Sequence, residues 1–276
     1  MAATLQNSER TVTLKSSEGS VYTEPLPSWS FFTENQYRII LIHGYNNSET
    51  DAFESYERFR KVCSKYSAYH ADRVFYLIWS GDQFNNLVKW FDDNTKNALE
   101  SGRNLGIFLE RIISGPRDQN CQFVIVAHSL GCRLTAELIG ELYKRNRSFC
   151  GQFKLFLMAG AVRSDDILGG NRFGEAFAAA GSVVNLHSPD DSVLSGAFRW
   201  GEWGGGRSYS EAIGLNAEPR EFKSWQPKLM EGFRHDYYWK EESVVEFILQ
   251  ALGVAVPMAL PINEIASYKP PEHFLT

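Results

Sequence analysis

One serine in this chain stands where a hydroxyl can become a nucleophile. Ala127-His128-Ser129-Leu130-Gly131 ends the apolar run Phe123 to His128 and opens a stretch in which Leu130, Leu134, Leu138 and Leu142 repeat every four residues. The pentapeptide reads small-x-Ser-x-small, with Ala in the first place where Gly is usual. A serine in a sharp turn between a strand and a helix brings the residues two places either side into contact, so only Gly or Ala fits there. The turn lifts the Ser129 hydroxyl above the C-terminal edge of a sheet. The helix behind it aims its first N–H groups at any oxyanion formed there. Small-Ser-small pentapeptides are common by chance. The buried-type strand before this one and the apolar-period helix after it select the nucleophile turn.

Such a turn needs a sheet to carry it. Arg38 to His43, Val74 to Trp79, Phe123 to His128, Phe153 to Met158 and Val183 to His187 are almost continuously hydrophobic, as strands buried on both faces of a parallel sheet must be. Helical spacing fills the intervals. Phe53, Tyr56, Phe59 and Val62 mark a helix within 50–66; Leu87, Val88, Phe91, Ala98, Leu105, Phe108, Leu109 and Ile112 mark one or two within 84–113; Val244, Val245, Ile248 and Leu249 mark one within 241–252. The alternation predicts βαβ units, an α/β fold with a mostly parallel central sheet and helices on both faces. The main domain spans residues 31–253. Residues 1–30 read as an N-terminal arm or an antiparallel edge strand, and 254–276 as a C-terminal tail. Within 192–234 a small cap could fold over the site, hinged at Gly204, Gly205 and Gly206; the aromatics Phe198, Trp200 and Trp203 in it fit a loop core equally well.

Composition excludes several classes. The 276 residues carry 28 Lys+Arg and 33 Asp+Glu, a formal charge of −5 with no basic concentration, so a nucleic-acid partner is not expected. Hydrophobic residues at 43% and charged residues at 22% are those of a folded globular chain. The longest apolar run, Ala251 to Ile262, is too short to span a bilayer and is broken by Pro257 and Pro261. No basic and apolar leader begins the chain, so a cytoplasmic location is expected, and the N-x-S triplets at Asn46 and Asn146 do not outweigh that. Cys63, Cys121, Cys132 and Cys150 are scattered without zinc spacing, and reduced buried thiols are the plain reading. Neither a metal nor an organic cofactor is expected; Gly204 to Gly206 lacks the strand and the Lys-Ser/Thr of a phosphate loop.

Leu41 to Ser48 (LIHGYNNS), Val124 to Leu134 (VIVAHSLGCRL), Val184 to Leu194 (VNLHSPDDSVL) and Arg234 to Trp239 (RHDYYW) together make the chain resemble the α/β-hydrolase superfamily from about Arg38 to Leu252. The resemblance is to a subfamily known mainly as a domain of unknown function, so it implies a fold and a chemistry and little about substrate. It implies that the loop after Arg38 to His43 supplies one oxyanion-binding amide and the residue after the nucleophile the other. By position these are the backbone N–H groups of Tyr45 and Leu130. His43, Gly44 and His128 are placed beside the substrate pocket, Gly44 because a glycine lets the backbone approach a substrate closely.

The superfamily presents its residues in the order serine, acid, histidine. His43 and His70 precede Ser129, His128 adjoins it, His187 lies in a strand ahead of the best acid, and His273 sits in a Pro-flanked tail. His235 remains, ahead of the last helix. The acid is less constrained. Ser188-Pro189-Asp190-Asp191 is a turn with Pro189 at its second position, leaving Asp190 in the turn and Asp191 after it. The resembled pattern sets its acid before x-Val-Leu, which selects Asp191, while Asp190, and Asp165 and Asp166 one strand earlier, are its rivals. The expectation is therefore a serine hydrolase of the esterase or lipase-like kind, with Ser129, His235 and Asp191 cleaving a small-molecule or lipid-like carboxylic ester through an acyl-enzyme. An amidase or peptidase with the same residues is the nearest rival. A non-catalytic binding protein of the same fold is the more distant one.

Overall fold

The computed structural model describes residues 11–17, 20–23, 37–45, 49–79, 87–114, 122–204, 210–219 and 222–256. The expectations for Asn46, Cys121, Gly205, Gly206, His273 and most of the arm and tail fall outside them. The strands are β1 Thr11–Ser17, β2 Ser20–Thr23, β3 Tyr37–Ile42, β4 Val74–Trp79, β5 Gln122–His128, β6 Phe153–Met158, β7 Ser182–His187 and β8 Trp225–Leu229. The helices are α1 Glu49–Tyr66, α2 Ala68–Ala71, α3 Leu87–Ile113, α4 Leu130–Arg145, α5 Arg147–Cys150, α6 Gly174–Ala179, α7 Arg199–Gly204 and α8 Glu242–Ala251. The five apolar runs are strands β3 to β7, each within a residue of its expected bounds. All six residues of β4 are buried, as are all but the first of β5.

The strands form one sheet in the order β2-β1-β4-β3-β5-β6-β7-β8. β2 runs antiparallel to β1; every other neighbouring pair is parallel. From β3 the chain steps through α1 to β4, then passes back over β3 through α3 to β5, and continues the same way to β6, β7 and β8. Right-handed crossovers put α1 on one face and the later connecting helices on the other. The contacts agree. α3 packs on α4 and α7, whereas α8 packs on α1, where Lys65 pairs with Glu242 at 2.6 Å. The direction of winding reverses between β3 and β5. Outside the carboxyl ends of two such strands an open α/β sheet leaves its crevice.

The core lies on both faces of β3 to β7. Tyr56, Phe59 and Val62 of α1 and Val244, Ile248 and Leu249 of α8 fill one side; Leu105, Leu109 and Ile112 of α3 and Leu134, Leu138 and Leu142 of α4 fill the other. Each such side chain contributes about 1.5–3 kcal/mol when fully buried. Two parts of the sheet depart from the sequence expectation. The arm does supply an antiparallel pair, but β1 also runs parallel to β4, joining the main sheet. The interval 192–234 adds a strand to the sheet. Leu194–Phe198 winds as a π-helical turn into α7, and β8 then lies on the sheet edge beyond β7 with Pro227 in its middle.

Candidate active site

Ser129 stands at the C-terminal end of β5, in the crevice beside β3. Its backbone has φ 54° and ψ −123°, a conformation few non-glycine residues adopt. Backbone bonds hold that geometry. Ser129 N–H donates to the Met158 carbonyl at 3.0 Å, and its own carbonyl accepts from Cys132 N–H at 3.0 Å and Ala161 N–H at 3.1 Å. The small residues are required by contact. A Cβ on Gly131 would lie 2.5 Å from the His43 carbonyl oxygen, because α4 starts directly against the end of β3. A Cβ on Gly44 would lie 2.7 Å from the Ser129 Cβ. Ala159, just past β6, is the other non-glycine residue with positive φ among the described residues, at 46°.

Three side chains meet over this turn. The Ser129 hydroxyl donates to His235 Nε2 at 2.8 Å, and His235 Nδ1–H donates to Asp191 Oδ2 at 2.8 Å. Asp191 is fully buried, and its other oxygen accepts the N–H groups of Val193 and Leu194, both at 3.0 Å. That carboxylate therefore caps the turn leading into Leu194–Phe198 while fixing the imidazole. Two of the rival acids have other partners. Asp190 Oδ2 accepts from Gly232 N–H at 3.0 Å, and Asp165 pairs with Arg163 in the one-turn helix Ser164–Ile167. Such a series can pass a hydroxyl proton to a ring nitrogen while the carboxylate steadies the resulting cation.

The neighbouring histidines have different work. His128 Nε2–H donates to the His235 backbone carbonyl at 2.7 Å, and the two rings lie 4.8 Å apart. Burial, aided by the His235 charge, lowers its pKa to about 3, so it stays neutral beside the site. His43 lies behind the crevice and does not line it. Its Nδ1–H donates to the Gly44 carbonyl at 2.7 Å, its backbone N–H donates to the Tyr56 hydroxyl at 2.6 Å, and its ring stacks on Trp79. The indole N–H of Trp79 donates to the His43 carbonyl at 2.9 Å, so His43 pins the strand end and with it the Gly44–Tyr45 turn.

A cavity of about 520 Å³ opens over Ser129, with Tyr45, Leu130, His128 and His235 around the hydroxyl. This is an ordinary size for a small-molecule site. Its remaining walls differ in character, Ala161, Leu194 and Phe198 on one side and Asp51, Glu54 and Arg58 on another. One feature here has no sequence signal. Arg133, on the first turn of α4, is buried, with its Nε–H donating to the Ala161 carbonyl at 3.0 Å and its guanidinium paired with buried Glu202 at 2.5 Å. It also lies over the Phe198 ring at 5.5 Å. A charged residue on a helix reads as solvent-facing, and only the fold brings Glu202 to it. Cys63 and Cys150, both buried, have thiols pushed up to about 12, and burial raises Cys132 likewise, so none is poised as a rival nucleophile.

A serine on a strained strand-to-helix turn over a parallel sheet, followed in the chain by the acid and then the histidine it meets, is one arrangement. The fold is that of the α/β-hydrolases. No protein-family model and no curated protein matches this chain. Among solved structures it is similar to esterase 2 of Thermogutta terrifontis, at 13% identity and TM-score 0.43 over 91% of this chain and 98% of that one. It is also similar to an S-formylglutathione hydrolase of Agrobacterium tumefaciens, at 11% identity and TM-score 0.47 over 88% and 94%. Among the described residues of this α/β-hydrolase fold, no helix is long and apolar enough to cross a membrane, and no cluster of His, Cys, Asp or Glu could hold a metal ion.

Proposed function

We propose that the protein is a serine hydrolase that cleaves carboxylic esters, with Ser129 as nucleophile, His235 as general base and Asp191 as its orienting acid. The observation that carries this reading is the unbroken hydrogen-bonded series from Ser129 Oγ through His235 to Asp191, at 2.8 Å for each bond, facing an open cavity. Ser129 Oγ attacks the ester carbonyl as His235 Nε2 takes its proton. The Tyr45 and Leu130 amides hold the oxyanion, and Asp191 stabilises the imidazolium. His235 then gives the proton to the departing alcohol oxygen. Water activated by the same nitrogen releases the acid and restores the serine. No step calls on a metal or an organic cofactor. A buried carboxylate on Nδ1 and a free hydroxyl on Nε2 are what a proton shuttle needs and a binding module does not.

The test is covalent labelling. A fluorophosphonate probe should label the wild-type protein at Ser129 and fail to label Ser129→Ala. Hydrolysis of p-nitrophenyl esters should vanish with the same substitution. Equal labelling or equal turnover in the variant would refute the reading.

A further inference from the structure

The cavity is chemically two-sided, and the sheet order shows why. Ser129 directly follows β5, which has β3 on one side and β6 and β7 on the other. The segments after β6 and β7 bring Ala161, Leu194, Ala197 and Phe198, an apolar wall. Asp51, Glu54 and Arg58, on α1 after β3, face them together with Asp236 and Lys240. The stretch that follows His235 belongs to the α1 side, because Trp239 packs at 5.6 Å from the Tyr56 ring and 6.3 Å from Phe59. Asp236 and Lys240 pair with each other. Glu54 and Arg58, one helical turn apart, make no ion pair or hydrogen bond among the described residues and stand exposed at the rim.

Proton transfer decides which side takes which half of an ester. The leaving oxygen must collect its proton from His235 Nε2, so the leaving group departs along the chain that carries the ring, toward Asp236, Lys240 and α1. The acyl group stays on Ser129 and occupies what is left, the apolar wall held in place by Arg133. Resting on the ester-hydrolase reading above, we propose that the substrate is an apolar acyl ester of a hydrophilic alcohol, with the acyl chain against Leu194, Ala197 and Phe198 and the alcohol against α1. Burying a charged or hydroxylated acyl group against that apolar wall would leave its polar atoms without partners. An alkyl alcohol would lie among charged side chains that stay solvated.

Two isomeric esters separate the sides: 2-hydroxyethyl octanoate and octyl hydroxyacetate contain the same atoms, with the hydroxyl on opposite ends. The hydroxyacetate carbonyl is intrinsically the more reactive, so a preference for the octanoate has to come from the site. We expect kcat/KM to favour 2-hydroxyethyl octanoate about tenfold or more, the range over which pocket contacts discriminate. Ala197→Trp, an exposed position on the apolar wall, should slow both acylation and deacylation of the octanoyl enzyme. Arg58→Glu should change kcat/KM among alcohols that share the octanoyl group while the deacylation rate constant, read after the alcohol has left, keeps its wild-type value. Equal rates for the isomers, or faster hydroxyacetate cleavage, overturns the assignment of sides, as does deacylation slowed by Arg58→Glu. Labelling of Ser129 without turnover of either isomer overturns the substrate class alone. Absence of both labelling and turnover overturns the ester-hydrolase reading itself.

Discussion

The nucleophile and its base are held in two different ways. Ser129 is fixed by packed backbone: α4 starts in contact with the end of β3, Gly131 and Gly44 have no room for a Cβ, and both carbonyl and amide of the serine are bonded across the sheet. His235 sits on a loop between β8 and α8, and single hydrogen bonds place it, from its ring Nδ1–H to Asp191 and from the His128 ring to its carbonyl. One region depends on shape and the other on the identity of a few polar atoms. Substitutions at the glycines that shape the first should cost folding and activity together. Substitutions in the second should cost activity and leave the fold standing.

The sharpest contrast begins with the chemistry itself. Ser129→Ala should lower kcat on the order of 10⁶-fold with the melting curve little changed, checked by turnover of an activated ester and calorimetry. Next, Asp191→Asn keeps the shape but offers the imidazole the wrong tautomer, a loss of about 10⁴ in kcat. Asp190→Asn, Asp165→Asn and Asp166→Asn should each stay near wild type in the same assay. A crippled Asp165 or Asp166 variant would transfer the acid to the earlier strand.

Stability effects follow. Glu202→Ala leaves the Arg133 charge buried without its carboxylate, which costs roughly 3–5 kcal/mol and lowers Tm on the order of 10 °C. The double variant Arg133→Met, Glu202→Leu should recover much of that, and identical melting of Glu202→Ala and wild type would show the pair to be inert. Gly131→Ala should cost about 1–3 kcal/mol and reduce turnover too, since relief of the clash with the His43 carbonyl moves Ser129. Gly196→Ala is the control, because a Cβ there meets open space. The last effect concerns acid. His128 is neutral in the folded protein down to about pH 3, while in the unfolded chain it protonates near its ordinary 6.5, so its contribution is present above that pH and lost as pH falls toward 3. The Tm of His128→Gln should therefore decline less steeply from pH 6.5 to 4 than that of wild type, and parallel curves would exclude the effect.

The same contrast governs what the sequence discloses. Continuous apolar runs identify β3 to β7, because a strand covered on both faces must be apolar throughout. Ser129 is legible because its turn demands small neighbours. Asp191 and His235 are legible through chain order and the resembled pattern, and their meeting is a matter of geometry. Trp225–Leu229 escapes notice because an edge strand with its middle exposed carries no apolar run and contains a proline. Arg133 and Glu202 escape it because 69 residues separate two charges that each read as solvated. His43 was expected beside the substrate, yet its atoms are used by Trp79, Tyr56 and Gly44, none of which a spacing pattern reveals.

Pro227 bears on how the molecule behaves among its own copies. Val183 N–H donates to the Ser224 carbonyl and Met230 N–H to the His187 carbonyl, so even-numbered residues of this segment turn their backbone groups toward β7. Alternation turns Trp225, Pro227 and Leu229 outward, along a margin of the sheet that no described strand covers. At the centre of that margin the proline ring stands where an N–H would otherwise invite an extended chain to pair. Lys228 adds a charge beside it. A stray strand, from another molecule or an unfolded neighbour, would find no continuous ladder to extend along β8.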